Sequence, residues 1–264
     1  MRWQEMENSN ELKELLDRLY VQYDIAEFIE PDPVSIPHSF SRREDIEISG
    51  LLASTIAWGN RKAIVKSARR MMDYMSGEPY RFVTEASDKE ISGLKSFVHR
   101  TFSGDDFIAF IYMLRSLCSN YGSIGEYFEG KFTETGDIRK VLSAFHTDFL
   151  SVPHNPHADK HISSITKGAA CKRLCMYLRW MVRQDACGVD FGLWRKIPSS
   201  ALYLPLDVHS GNTGRLLGLL KRQQSDWKAV EEITANLRVF DASDPVKYDF
   251  ALFGAGINQL AISN

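Results

Sequence analysis

The sequence lacks the features that mark membrane proteins, secreted proteins and small proteins held together by metals or disulfides. No apolar run approaches the ~20 residues that a helix needs to cross a bilayer. The four cysteines form no C-x-x-C pair and have no ferredoxin-like spacing, so we expect neither disulfides nor an iron–sulfur cluster. Residues 1–7 are acidic and lack the apolar core of a signal peptide. We therefore expect a cytoplasmic protein with no membrane association.

Strand patterns and an excess of positive charge are missing too. The formal net charge is −2, so no global basic field indicates nucleic acid. Apolar residues instead recur at helical spacing, and residues 45–57 are apolar over most of their surface, which predicts a buried central helix. The sequence predicts an all-α fold. The predicted helices cover residues 10–21, 45–57, 61–75, 90–99, 105–118, 124–128, 137–150, 172–184, 226–238 and 245–260, with one more beginning at Asp207.

Positive charge is concentrated in two clusters. One comprises Arg61, Lys62, Lys66, Arg69 and Arg70, and the other comprises Lys167, Lys172, Arg173, Arg179 and Arg183. Two such clusters on one groove would neutralise several phosphates. Two helix faces that simply face water are the alternative.

Two ionisable residues stand where helices are predicted to begin. Lys172 begins the helix 172–184, and Asp207 follows Pro205 at a position from which it can cap the next helix. A lysine nucleophile has to lose its proton, which a helix N-terminus and apolar surroundings favour. A nearby aspartate can accept that proton and stabilise a developing cation. A solvent-facing lysine and a plain N-cap are the alternative interpretation.

These two segments resemble a known group of enzymes. The segment KRLCMYLRWM at 172–181, followed by LDVH at 206–209, is similar to the helix-hairpin-helix DNA glycosylases, and most similar to the archaeal type of 8-oxoguanine DNA glycosylase. The segment LASTIAWGN at 52–60 resembles the buried helix and polar turn of that superfamily. The segments 167–174 and 244–252 also resemble an uncharacterised bacterial family related to these enzymes. The resemblance covers roughly residues 45–257, with specific motifs in three short patches.

The resemblance implies a fold, an activity and partners. The fold would have two lobes, residues 46–185 in one and residues 1–45 with 186–264 in the other. The activity would be a DNA glycosylase with lyase activity that excises 8-oxoguanine, with Lys172 as nucleophile and Asp207 as its partner. A cytoplasmic, nucleoid-associated monomer would act on double-stranded DNA containing a damaged base, without a cofactor. A DNA-binding protein without catalysis and a protein-interaction adaptor stay open as alternatives.

The resemblance also implies a base pocket and DNA contacts. Asp249 and Phe253 lie four residues apart on one helix face, where they would read the Watson–Crick edge of guanine and stack on the extruded base. A core phenylalanine and an ion pair from Asp249 to Lys247 are the alternatives. The remaining candidates are Trp58 and His209 in the pocket, and Asn60, Arg61, Lys62, Lys167, Gly168 and Arg173 on DNA. Related hairpins read L-P-G-[VI]-G, whereas this chain offers only Gly168 and the charge of Lys167.

Three histidines lie close together in the sequence, at His154, His157 and His161. Pro153 and Pro156 interrupt the helix that would align them. We therefore expect no metal site.

Overall fold

The structure, a computed structural model, describes residues 9–257, and this part of the chain is mostly helical. The all-α prediction is confirmed, because the strands β1 (Val98–His99) and β2 (Phe102–Ser103) form only a short antiparallel hairpin. The α-helices are α1 (Ser9–Tyr23), α2 (Arg43–Thr55), α3 (Arg61–Tyr74), α4 (Pro79–Glu85), α5 (Asp88–Ser92), α6 (Gly104–Tyr121), α7 (Ile124–Thr135), α8 (Ile138–Phe149), α9 (Lys172–Val182), α10 (Val208–Leu216), α11 (Trp227–Phe240) and α12 (Tyr248–Ile257).

Short 3₁₀ helices connect these elements, at Ala26–Phe28, Pro33–Ser35, Pro37–Ser39, Gly93–Ser96, Pro156–His161, Ile165–Lys167, Ser199–Ala201 and Pro245–Lys247. The acidic segment 1–7 and the predicted helix end at Leu260 lie outside the described residues. No helix within residues 9–257 is long and apolar enough to span a membrane.

The predicted helix 90–99 is wrong in its second half. Helix α5 ends at Ser92, and the chain turns back at Arg100, whose φ of 54° lies in the left-handed region. This turn pairs His99 with Phe102 in the hairpin, so the segment cannot continue as a helix. The predicted helix 124–128 is too short, because α7 continues until Gly136 ends it with a left-handed φ of 62°.

The described residues form two compact units. One unit contains residues 9–28, 165–191 and 198–257, with helices α1 and α9–α12, and we call it the lysine unit. The other contains residues 29–164 and 192–197, with α2–α8 and the hairpin, and we call it the barrel unit. The sequence placed the boundaries after residues 45 and 185, which would have separated Lys172 from Asp207. The structure instead places both residues in the lysine unit.

The barrel unit is organised around α2, whose residues from Ile46 to Thr55 are all buried. Glu47 brings a carboxylate into this core, where it accepts hydrogen bonds from Arg43 Nε at 2.8 Å, Trp194 Nε1 at 2.9 Å and the Gly125 amide at 3.0 Å. A buried charge is tolerated when it is paired and hydrogen-bonded in this way. The predicted buried central helix is confirmed.

The lysine unit is built on α12, which packs against α1 and α10. Helix α1 buries Leu15, Leu16 and Leu19. Gly254 permits the close approach, since a Cβ atom there would lie 2.3 Å from the Tyr23 ring. The C-terminal helix is therefore a fixed platform for the side chains it carries.

Candidate active site

Lys172 is the first residue of α9, as the sequence predicts. The chain reaches it through two left-handed residues, Gly168 with φ of 78° and Cys171 with φ of 49°. The left-handed conformation of Cys171 costs about 1–2 kcal/mol, because the residue is not a glycine. Backbone outliers of this kind concentrate at functional sites. The Lys172 side chain is half-buried, and its Nζ donates to Met176 Sδ at 3.2 Å. A thioether is a weak acceptor, so this contact holds the amine loosely.

Asp207 is the N-cap of α10, which confirms the predicted helix start. Its Oδ1 accepts from the Ser210 amide at 2.9 Å and from Ser210 Oγ at 3.1 Å, and Ser210 Oγ accepts from the Asp207 amide. This capping box uses only Oδ1 of the carboxylate. The side chain is half-buried, and its Oδ2 takes no part in the cap.

Asp249 on α12 connects these two residues electrostatically. Burial raises the pKa of its carboxyl to about 6, against the opposing effect of the Arg179 guanidinium. The negative charge of Asp207 raises this pKa further, and the positive charge of Lys172 lowers it. The charges at the starts of α9 and α10 therefore both act on one buried carboxylate.

Arg179 holds Asp249 in an ion pair and shares its guanidinium with Asp190, whose Oδ1 lies 3.3 Å from Arg179 Nε. Both carboxylates are buried, and Asp190 also pairs with Arg183, whose Nη1 lies 3.0 Å from Asp190 Oδ2. Burial also raises the pKa of Asp190 to about 6. Asp249 was predicted to read a base directly, but its Oδ2 is occupied by Arg179. The alternative ion pair with Lys247 is wrong, because Lys247 pairs with aspartates elsewhere in the unit.

Arg183 follows α9 and is the centre of a larger network in the same unit. Its guanidinium is only 1% exposed and donates to Tyr20 Oη at 2.6 Å. It forms ion pairs with four carboxylates, those of Asp24, Asp185, Asp190 and Asp244. Together with Arg179, it anchors the C-terminal end of the helix that begins with Lys172.

This network corrects the interpretation of the second basic cluster. Arg179 and Arg183 are buried in ion pairs and cannot neutralise phosphates. Lys167 and Gly168 are exposed beside the start of α9, whereas Arg173 is half-buried. Burial lowers the pKa of Arg173. Only the N-terminal part of the predicted cluster is therefore accessible to DNA.

Phe253 lies one helical turn after Asp249 on α12 and is half-buried. Its ring packs edge-on against His209, with centroids 5.9 Å apart, and against Phe28 at 6.3 Å. His209 is exposed in the first turn of α10, two residues after Asp207. The aromatic candidates of the lysine unit thus surround the region where α10 and α12 meet.

The other DNA-binding candidates belong to the barrel unit. Asn60 is exposed and caps α3, with its Oδ1 accepting from the Ala63 amide at 3.1 Å. Lys62 is exposed, and Arg61 lies 3.8 Å from Asp32. The first basic cluster, Arg61, Lys62, Lys66, Arg69 and Arg70, lines one surface groove along α3. Glu30 and Asp73 line the same groove, so its five positive charges are partly balanced and leave a net positive surface.

Trp58 is half-buried in the turn between α2 and α3. Its indole stacks on His161, with centroids 5.9 Å apart and ring planes inclined by 23°, and contacts His99 edge-on at 5.3 Å. These contacts hold the ring in the barrel unit.

Sequence reasoning missed a polar cluster formed by Asp106, His157 and His161, whose candidate ligand atoms lie within 4.8 Å of one another. Pro156 does not separate the two histidines, because it stands at the first turn of the 3₁₀ helix that carries them. His154 lies outside this cluster, with Nδ1 2.5 Å from Val152 O and Nε2 2.6 Å from Asp159 Oδ1. The four-residue spacing of the histidines was the available signal.

Residues 32–258 match the model of a family described as "Protein of unknown function (DUF2400)". No curated protein and no solved structure matches the chain.

Proposed function

We propose a DNA glycosylase activity, with associated lyase activity, for this chain, which belongs to the family described as protein of unknown function (DUF2400). The proposal includes a helix-hairpin-helix glycosylase fold and, as substrate, duplex DNA that contains oxidised guanine. One observation carries it: the amine at the start of α9 and the carboxylate at the start of α10 both act on the buried carboxylate of Asp249. An amine and a carboxylate in one neighbourhood are what removal of a base through a covalent intermediate requires.

The proposed reaction assigns one role to each group. Lys172 Nζ attacks C1′ of the flipped nucleotide, and the bond from C1′ to the base nitrogen breaks as the base leaves with the electron pair and takes up a proton. Asp207 Oδ2 stabilises the positive charge that develops on the sugar and accepts the proton that the attacking amine releases. The sugar ring then opens to a Schiff base between C1′ and Nζ. Loss of a C2′ proton from this Schiff base breaks the C3′–O3′ bond and cuts the strand.

Recognition of the base is proposed to use α12. Phe253 offers a half-buried ring for stacking, beside the exposed His209. Asp249 Oδ1 would accept from the N1–H or N2–H₂ groups of guanine or 8-oxoguanine, while Oδ2 stays on Arg179. Adenine presents an acceptor at N1 and would be repelled.

The ion pair of Asp249 with Arg179 favours a second candidate function. A carboxylate already committed to an arginine is a poorer reader of a base, which fits a protein that binds duplex DNA without excision. The exposed Lys167 and Gly168 and the basic groove of α3 would serve this function equally well. It predicts duplex binding that weakens with salt and no release of a base.

Borohydride trapping tests the proposed enzyme. The full chain is incubated with a duplex that contains 8-oxoguanine, and sodium borohydride reduces any Schiff base to a stable covalent adduct. We expect an adduct with the native chain and none with Lys172→Gln. Lys228→Gln is the matched control, because it removes an exposed lysine of the same unit, on α11, and leaves the nucleophile in place. An adduct that survives Lys172→Gln would refute the assignment.

Asp207→Asn distinguishes the proposed catalytic role of the Asp207 charge from its structural role as the N-cap of α10. Asparagine still caps a helix through its side-chain oxygen, so α10 should keep its stability while the negative charge is lost. We expect at least a 100-fold lower rate of base release with unchanged thermal unfolding, on the scale of lost acid–base catalysis. Asp226→Asn is the control, because Asp226 caps α11 in the same way, with its Oδ1 accepting from the Ala229 amide at 3.1 Å. Salt-sensitive duplex binding with no base release by the native chain would support the second candidate instead.

A further inference from the structure

The cluster of Asp106, His157 and His161 lies in the barrel unit, outside the proposed active site. Asp106 is in the first turn of α6, and its carboxylate is 1% exposed. His161, at the end of the 3₁₀ helix Pro156–His161, is 4% exposed, and His157 at the start of that helix is exposed. Two members of the cluster, Asp106 and His161, are thus buried, and the third, His157, is at the surface, where an ion can reach it from solvent.

The distances within the cluster suit a small metal ion. Asp106 Oδ2 lies 3.3 Å from His161 Nε2 and 3.0 Å from His157 Nδ1. Two ligands that are each ~2.0–2.1 Å from a tetrahedral zinc ion lie roughly 3.3–3.4 Å apart, so the first distance already matches and the second is only a few tenths of an ångström short. The widest separation among the three candidate ligand atoms is 4.8 Å, so it has to shorten by about 1.4 Å when a tetrahedral ion binds.

We propose that Asp106, His157 and His161 form a binding site for a divalent transition-metal ion, with Zn²⁺ as the best-fitting occupant. Imidazole nitrogens combined with one carboxylate suit zinc and its neighbours in the first transition row and do not suit Mg²⁺ or Ca²⁺, which prefer oxygen ligands. Three protein ligands leave a further coordination position for water at the exposed side of the site.

The surroundings of Asp106 prepare it for this role. Its Oδ2 accepts from the amide and the hydroxyl of Ser103, each at 2.8 Å. A ligating carboxylate that is itself held by hydrogen bonds is the usual arrangement around protein-bound metals.

Ion binding requires changes at both histidines. His161 Nε2 lies within hydrogen-bond distance of Asp106 Oδ2, and an ion bound to both atoms requires the neutral ring to carry its proton on Nδ1. His157 Nδ1 lies 2.7 Å from Asp106 Oδ1, a hydrogen-bond distance, and the metal would replace the proton between them. In the neutral ring, this proton moves to Nε2, which lies 2.5 Å from Lys160 Nζ. The Lys160 side chain is exposed and can turn into solvent.

A bound ion would join the 3₁₀ helix 156–161 to the start of α6. It would also fix the ring of His161, on which the indole of Trp58 stacks. The site would therefore brace the turn that leads from α2 to the basic groove of α3. This inference does not depend on the glycosylase activity.

Calorimetric titration of the full chain with ZnCl₂, after dialysis against a chelator, tests the site. We expect one ion per chain and a rise in unfolding temperature with zinc concentration, because an ion that binds only the folded state stabilises it. His157→Ala is the main variant, since its exposed side chain can be removed without opening the core, and it should weaken binding more than tenfold. Asp106→Asn keeps a side chain able to complete the capping box and should weaken binding at least as much.

His154→Ala is the matched control, because it removes a histidine from the same segment that is not in the cluster. It should bind zinc as tightly as the native chain. Native affinity in His157→Ala, or no stoichiometric binding by the native chain, would overturn the proposal. Equal weakening by His154→Ala and His157→Ala would overturn it too, since the bound ion would then lie elsewhere on the segment.

Discussion

Replacement of Arg183 by methionine should strongly destabilise the lysine unit. The guanidinium is 1% exposed, with its Nε 2.8 Å from Asp244 Oδ2 and its Nη1 3.0 Å from Asp190 Oδ2. Methionine fills a similar volume but leaves the carboxylates without their main positive partner. Breaking a buried ion pair by removing one partner costs ~3–5 kcal/mol.

Protonation limits this loss. The pKa of Asp190 is already about 6, so at pH 7 its neutralisation costs roughly one pH unit, or about 1.4 kcal/mol. We therefore expect Arg183→Met to lose about 4 kcal/mol at pH 7.5 and clearly less at pH 5, where the carboxylates take up protons more readily. At ~2–4 °C per kcal/mol, the unfolding temperature at neutral pH should fall by roughly 10 °C.

Thermal unfolding followed by circular dichroism measures the fall in unfolding temperature. Hydrogen exchange measured on individual peptides shows which helices are destabilised. Faster exchange should appear in α1, α9 and α12 and be absent from α2. The control is Arg222→Met, which removes an arginine of the same unit whose ion pair with Asp226 is at the surface, and it should cause only a small loss. If Arg183→Met were as mild as the control, or equally destabilising at pH 5 and 7.5, the reasoning would be refuted.

Two further predictions concern one residue in each unit. Gly125→Ala should lower the free energy of unfolding, measured in urea, by about 1–3 kcal/mol, because the added Cβ would lie 2.3 Å from Glu47 Oε1. Gly130→Ala on the same helix is the control: its Cβ would meet nothing within 4 Å, so the change should be neutral or stabilising. The raised pKa of Asp249 contributes stability that is complete below pH ~3.8 and is lost as pH rises through about 6, a change of about 3 kcal/mol. Asp249→Asn should therefore flatten the fall in stability between pH 4 and 7, and a slope identical to that of the native chain would contradict this assignment.

The sequence predicted those parts of the molecule that depend on local rules. Helix type follows apolar spacing, and α1 buries Leu15, Leu16 and Leu19 on one face. Caps are local as well, so Asp207 could be assigned to the start of α10 and Asp226 to the start of α11. The same locality placed Lys172 at the first residue of α9.

The rest depends on contacts between distant segments, which spacing does not encode. Arg179 and Arg183 look like members of a basic face in the sequence, but their partners come from residues up to 163 positions away, as Tyr20 does. Asp106 and His157 are separated by 51 positions, so only the fold brings them together. The unit boundary was misplaced for the same reason, since the ion pair that joins Arg179 of α9 to Asp249 of α12 is a contact between distant segments.

Helix α9 is only eleven residues long, with Lys172 at one end and Arg179 about 10 Å further along its axis. In a helix this short, a displacement at Arg179 also moves Lys172. For the proposed activity, the consequence is that substitutions of the aspartates paired with Arg179 and Arg183 should impair Lys172, although these aspartates pair with the far end of the helix.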